Sequence, residues 1–261
     1  MRRLALPVLA LVYLCCGPAA AATACHAASG PLARPLIELY TSEGCDSCPP
    51  AERWLSSRFA PSDTGSPAIA IALHVDNWGR LGWVDRFADA RYTARQYDLM
   101  RANGASFVYT PQVLLQGHDF AAWRLAGAAP IDAAARSRAK AAIAIDATPG
   151  EREVTVQAHA RVGDRAAGAD AALFVAYTDS GLVSDVKAGE NRGQRLAHDH
   201  VVRALRLAGQ AASDGSIDAT LTVARPAERG TRPTLVAFVE RVSTGDVLQA
   251  LALPLDDCAR K

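Results

Sequence analysis

Two units are predicted for this chain, an α/β domain followed by a β-rich, sandwich-like domain, and three observations carry the prediction. Short apolar runs at residues 36–41, 68–75 and 111–116 alternate with helix-compatible segments at 49–59, 84–100 and 131–143. That is the pattern of a sheet with helices packed on it. Beyond Thr148-Pro149-Gly150 the character changes. Residues 154–160, 172–177, 217–223, 235–240 and 247–253 are short, several alternate apolar with polar residues, and turn residues separate them, as half-buried strands require. Finally, 50% of the residues are hydrophobic, which suits a packed core rather than disorder.

The N-terminus reads as an export signal. Met1-Arg2-Arg3 is a positive n-region, residues 4–14 are apolar, and Ala22-Thr23-Ala24 is a small-x-small cleavage site. Residues 1–24 are therefore predicted to be a signal peptide, residues 25–147 the α/β domain and residues 148–261 the β-rich domain. The expected destination is the periplasm or the exterior. The signal is too short for a membrane span, and no later stretch reaches about 18 apolar residues. A lipid anchor at Cys25 is the alternative. Ala22 lacks the branched bulk usual three residues before a lipidated cysteine, which favours simple release.

Cleavage removes Cys15 and Cys16 and leaves Cys25, Cys45, Cys48 and Cys258. An oxidising compartment lets disulfides persist. Cys25 and Cys258 lie near the two ends of the mature chain, and domain termini are often close in space. A Cys25–Cys258 disulfide is expected if Cys25 is not lipidated. Lys+Arg (28) and Asp+Glu (27) nearly cancel, so no footprint for nucleic acid or an anionic membrane is visible.

Cys45-Asp46-Ser47-Cys48 follows the first apolar run directly. Such a pair can be a zinc half-site, a structural staple or a redox centre. Zinc normally takes four ligands, and the sequence offers no second close pair. A staple across so small a loop constrains little chain. Strand, short loop, C-x-x-C and helix is the setting of a redox motif. Pro49 and Pro50 suit a first helical turn, which needs no amide hydrogens, and Glu52 lies near its positive end. Cys45 then sits in the loop before the helix, where dipole and amides stabilise a thiolate. The acidic neighbours Glu43 and Asp46 oppose that, so a mild rather than strongly oxidising pair is expected.

In Val108-Tyr109-Thr110-Pro111-Gln112 a proline, Pro111, opens an apolar strand, a position that cannot donate to the sheet ladder. Taken with Gly44-Cys45-x-x-Cys48-Pro49-Pro50, His74-Val75-Asp76-x-Trp78 and Gly189-Glu190-Asn191-Arg192-Gly193, it resembles the secreted thioredoxin-like family catalogued as domain of unknown function 1223. The resemblance covers nearly all of the mature chain. It implies a thioredoxin-like α/β domain with a β-rich extension, and no reaction. It also implies roles: Cys45 as attacking thiolate, Cys48 as resolving cysteine, Pro111 as a cis-proline facing them, and the Thr110 backbone as a peptide contact. Glu38 resembles the buried acid that moves a proton at the resolving cysteine, with one extra residue in between. Its alternative is a strand-end carboxylate facing solvent. Gly44 stands where a tryptophan is usual.

His74 and Asp76 alternate onto one strand face, to tune the disulfide, bind a metal or simply cap a loop over Trp78 and Trp83. Residues 189–193 read as a glycine-framed turn with a Glu190–Arg192 or Arg203 network, and His198 and His200 share a face if that segment is extended. No phosphate loop or hydrolase signature is present. Two function classes remain. One is a thiol–disulfide oxidoreductase, acting on a protein or small-molecule disulfide without an organic cofactor and recycled by a redox partner. The other is an envelope binding protein, with copper held by Cys45, Cys48 and His74 through soft thiolates.

Overall fold

Every residue of the strand Leu36–Thr41 is buried, which requires cover on both faces and hydrogen-bonded neighbours on both edges. A computed structural model provides both; it describes residues 24–60, 65–163 and 170–260. The predicted signal peptide, short of Ala24, lies outside the described residues, as do Cys15 and Cys16.

In chain order, β1 (Cys25–Ala28) and β2 (Leu36–Thr41) precede helix α1 (Pro49–Arg58) and β3 (Ile69–His74). Helix α2 (Ala90–Ala102) leads to β4 (Gln112–Leu115), β5 (His118–Asp119), helix α3 (Ala129–Ala135) and β6 (Ala141–Pro149). Strands continue with β7 (Glu153–Val162), β8 (Ala171–Asp179), β9 (Leu182–Asp185) and β10 (Arg195–His198). The last four are β11 (Val201–Gln210), β12 (Ser216–Ala224), β13 (Thr234–Arg241) and β14 (Val247–Pro254).

Eight of these strands form one sheet in the order β14-β13-β8-β11-β3-β2-β4-β5. Within it β2–β3 and β3–β11 are parallel and the other pairings antiparallel. A second, antiparallel sheet has the order β1-β6-β7-β12, and β9 pairs with β10.

This corrects the expected fold class. The described residues form a mostly β protein with one large mixed sheet, and no thioredoxin-like α/β pattern with a separate sandwich-like domain is present among them. The reason lies at the edge of β3. Left bare, its backbone groups would template foreign pairing. Here β11, from the second half of the chain, takes that edge: Val201 lies opposite Ala72, and Ala72 N donates to His200 O at 2.8 Å. β6 runs through residue 148 and pairs with β1 on one side and β7 on the other.

Two expected helices also change. The segment 131–143 is helical only to Ala135, and residues from Ala141 are strand. Ala141, Ile143, Ile145 and Ala147 are buried while the residues between them are not, a period of two that alanine-rich composition conceals. The helix expected from residue 84 starts at Ala90, because the Asp89 side chain caps it by accepting from Arg91 N at 2.9 Å.

Strand alternation divides β2 between two cores. Ile37 and Leu39 face Ala51 and Leu55 of α1. Leu36 and Tyr40 face Tyr92 and Leu99 of α2. Between the two sheets lies a third core, where Ile145, Val154 and Val156 meet Val175, Tyr177 and Leu235. The Cys25–Cys258 disulfide closes beside it, with Cα atoms 5.1 Å apart.

Glu38 lies on the α2 side of β2. Arg95 clasps it through Nε at 2.9 Å and Nη2 at 3.1 Å, and reaches Glu240 Oε2 at 2.5 Å. Tyr40 OH donates to Glu38 at 3.2 Å, and the guanidinium stacks on Phe174 and Phe238. Burial pushes the Glu240 carboxyl up even with Arg95 beside it. Removing the cation strands two carboxylates in an apolar core. Arg95→Met, which keeps the packing, is predicted to lower unfolding free energy in urea titration by about 3–5 kcal/mol; a loss below about 1 kcal/mol, the worth of a surface pair, would refute the triad's role.

Candidate functional site

The carboxyl ends of the parallel strands β2 and β3 open at one end of the large sheet, where sheet proteins commonly place their sites. The loop leaving β2 carries Cys45 and Cys48. Turn bonds from Cys45 N to Ser42 O (3.2 Å) and from Cys48 N to Cys45 O (3.3 Å) shape it. The two cysteines form a disulfide with Cα atoms 5.4 Å apart, and both residues are 0% exposed. Cys48 is the cap of α1 and, against the bias of a residue before proline, has helical backbone angles. Its carbonyl accepts from Ala51 N and Glu52 N at 2.9 and 3.2 Å.

Behind the disulfide loop lies a buried cluster of acids and imidazoles. His198, at the end of β10, has Nδ1 2.5 Å from Glu52 Oε2 and Nε2 3.3 Å from Glu43 Oε1. The first is a hydrogen bond; the second is an ion-pair contact too poorly aligned to be one. Thr41 Oγ1 donates to the other Glu52 oxygen at 2.7 Å, and Trp83 Nε1 donates to Glu43 Oε2 at 2.6 Å. His74 Nδ1 lies 2.7 Å from Asp85 Oδ2, which also accepts from Glu43 N at 2.8 Å. Burial works against charge on His198, yet Glu43 and Glu52 raise its pKa to about 10. Burial likewise pushes Glu52 and Asp85 up, but the neighbouring imidazoles outweigh it and hold both below the ordinary carboxyl value.

Three further segments gather at the cysteine loop. Gly44 is required by close approach: a side chain there would put its Cβ 2.9 Å from Trp78 Cβ. Trp78 Nε1 in turn donates to Thr110 Oγ1 at 2.8 Å, and the Thr110–Pro111 peptide is cis. Tyr109 O accepts from Gln96 of α2 at 2.9 Å. A cleft of ≈ 190 Å³ opens beside Trp78, Arg80, Tyr109 and Thr110. From the second half of the chain, Asn191 Nδ2 donates to both Glu43 O and Cys45 O at 2.9 Å, and Glu190 accepts from Asp46 N at 3.1 Å. Gly189 and Gly193, both at positive φ, frame that loop.

The predicted site residues fall into two groups. Cys45, Cys48, Thr110, Pro111 and His74 all lie on the segments at this end of the sheet. Glu38 does not join them: it is on the opposite sheet face and is held by Arg95, neither beside Cys48 nor facing solvent. Asp76 also separates from His74, because β3 ends at His74 and Asp76 accepts from Thr93 Oγ1 at 2.6 Å. Glu190 bonds the cysteine loop rather than Arg192 or Arg203. His200 departs from His198 by adopting φ 59° and placing Nε2 2.5 Å from Phe59 O. The copper set of Cys45, Cys48 and His74 does not assemble. Among the described residues the group whose ligand atoms lie within 4.8 Å of one another is Glu52, His74 and His198, with no cysteine in it.

Sequence reasoning missed Glu43, Asp85 and Asn191 as site residues, and read Glu52 only as a helix-dipole charge. Glu52 had a usable signal: four residues after Cys48 on α1, it returns to the same helix face. His198 had none, since its partners lie some 150 positions earlier, at a sequence separation of 146 for Glu52.

Two solved structures share the fold. A crystal structure of a protein from Agrobacterium tumefaciens is 26% identical, with 86% of this chain and 96% of that chain covered and a TM-score of 0.58. HBP35 of Porphyromonas gingivalis is 16% identical, with 87% and 76% covered and a TM-score of 0.62, a likeness of fold alone. No curated protein matches the chain. The family model described as protein of unknown function (DUF1223) matches residues 36–240, and the chain belongs to that family.

Proposed function

We propose that the protein is an exported thiol–disulfide oxidoreductase whose redox couple is Cys45/Cys48. The observation that carries this reading is the disulfide at the start of α1, closed beyond the carboxyl end of β2 and backed by the Glu43–His198–Glu52 cluster. Two disulfides suit an oxidising compartment, and a Cys25 sulfur bonded to Cys258 has no valence left for a lipid thioether.

In the reducing direction the Cys45 thiolate attacks one sulfur of a substrate disulfide. A mixed disulfide forms and the first substrate thiolate leaves, to be protonated by solvent. Cys48 then loses its proton and attacks Cys45 Sγ, releasing the second substrate thiol. Two electrons pass to the substrate and the pair is left oxidised, to be reset by a dithiol redox partner. The helix start favours negative charge at the cysteines. Ser47 Oγ, 3.4 Å from Cys45 Sγ, is placed to donate to a thiolate there.

Both sulfurs are buried, so exchange requires the cover to move. Asn191 is the clasp, because its single amide ties Glu43 and Cys45 to the 189–193 loop. Opening that loop exposes Cys45 towards the Trp78–Thr110 cleft, where an extended substrate segment would lie.

Reduction of insulin by the mature protein with dithiothreitol is the direct test. Activity is expected to vanish in Cys45→Ala, while Cys48→Ala accumulates mixed disulfides resolvable by non-reducing electrophoresis. Absence of turnover in the unmodified protein, or undiminished turnover in Cys45→Ala, would refute the reading. Asn191→Ala is expected to speed reduction of the Cys45–Cys48 bond by dithiothreitol about five- to thirty-fold, the loss of about 1–2 kcal/mol of hydrogen bonding in the closed state. An unchanged rate would mean that the 189–193 loop does not govern access.

A further inference from the structure

The cluster behind the disulfide leaves buried polar atoms without hydrogen bonds. His74 Nε2, His198 Nε2 and Glu43 Oε1 are all buried and unpartnered. Native interiors seldom tolerate even one such atom, because its desolvation is uncompensated. Three in one cluster call for a chemical explanation.

The arrangement of the ring nitrogens supplies one. Asp85 holds His74 Nδ1, which fixes the ring and leaves Nε2 as a lone-pair donor. Glu52 presents Oε2 to His198 Nδ1 while its Oε1 is held by Thr41. Glu43 stands at His198 Nε2, 3.3 Å away, ready to accept from it once that nitrogen carries the proton. One ligand atom each from Glu52, His74 and His198 falls within 4.8 Å of the others, and the two imidazole centroids are 5.2 Å apart. Two ligands thus have an outer hydrogen-bond partner, Asp85 for His74 and Thr41 for Glu52, and Glu43 lies beside His198 Nε2 as an ion-pair contact. Outer hydrogen bonds of this kind orient imidazole and carboxylate ligands around a metal.

Charge points the same way. Among the described residues three buried carboxyl groups, Glu43, Glu52 and Asp85, meet two imidazoles, and no Lys or Arg there pairs with any of them. A dication offsets two of those three negative charges in a volume where unpaired charge costs several kcal/mol. Phe87 packs against both rings, with centroids 5.3 and 5.4 Å away, and shields the group from water.

We propose that His74 Nε2, His198 Nδ1 and Glu52 Oε2 bind one divalent transition-metal ion, of which Zn2+ is the probe. Two imidazoles and one carboxylate are borderline ligands that suit zinc and its first-row neighbours rather than calcium or magnesium. On binding, the ion takes the place of the proton shared between His198 Nδ1 and Glu52. Glu52 then remains bound through α1, and Glu43 through the His198 Nε2–H, so the ion braces both sides of the cysteine loop. Neither cysteine is a ligand, so the site is independent of the redox reading and of any copper–thiolate site. Because the group is buried, the ion enters as the chain folds.

The test uses the full mature chain with both disulfides intact, unfolded and refolded in Zn2+ or in chelator, then freed of loose metal by gel filtration. Elemental analysis is expected to return one zinc per chain after refolding in Zn2+, with a higher melting midpoint than the chelator-refolded sample. Co2+ in its place should give visible ligand-field bands without a thiolate charge-transfer band. Affinity should fall at least about tenfold in Glu52→Gln and in His74→Gln, and should persist in the Cys45→Ser/Cys48→Ser double variant. Only trace zinc in the folded, oxidised protein would overturn the proposal. Full retention in the folded Glu52→Gln variant, or loss with the two cysteines, would overturn it as well.

Discussion

His198 stands between two carboxylates, Glu43 on the loop before Cys45 and Glu52 on the helix after Cys48, with Nδ1 2.5 Å from Glu52 and Nε2 3.3 Å from Glu43. The imidazole belongs to β10, in the second half of the chain, while both acids belong to the first. Separating them would leave charges buried without partners, at several kcal/mol each. The disulfide loop is thereby anchored to a distant part of the chain, and the 189–193 loop that covers it is anchored with it through Asn191. The arrangement of the site follows from this contact.

It can form only because β11 completes the large sheet. Val201 pairs with Ala72 three residues after His198, which sets the depth at which His198 enters the space behind α1. β2 then sorts its polar groups by strand parity. Thr41 reaches Glu52 on the α1 face, and Glu38 reaches Arg95 on the α2 face. Two buried ionic systems thus lie on opposite sides of one strand, one supporting the cysteine loop and the other fastening α2 to β13 through Glu240.

Much of this could be read locally. The five strands expected after residue 148 all form, as do β2, β3 and α1, because their apolar periodicity and caps are properties of neighbouring residues. The C-x-x-C pair at a helix start was legible for the same reason, as was the proline loop at Thr110-Pro111. The architecture was not, since pairing of β11 with β3 links positions about 130 residues apart with no local signature. Alanine hid β6, being at home in helix or strand until a neighbour decides. Glu38 was misassigned because sequence distance from Cys48 says nothing about sheet face, which the parity of β2 determines. His198 carried no clue to the acids it would meet.

The central claim is that Cys45 and Cys48 are a reversible two-electron couple within the folded protein. Its most direct test equilibrates the doubly oxidised mature chain with glutathione buffers of stepped ratio, alkylates the free thiols and counts them by mass spectrometry, with circular dichroism recorded alongside. The predicted result is that Cys45 and Cys48 are labelled together along one two-electron curve, while the chain stays folded and Cys25–Cys258 stays closed. Labelling that appears only as the fold melts, or equally at all four cysteines, would contradict it.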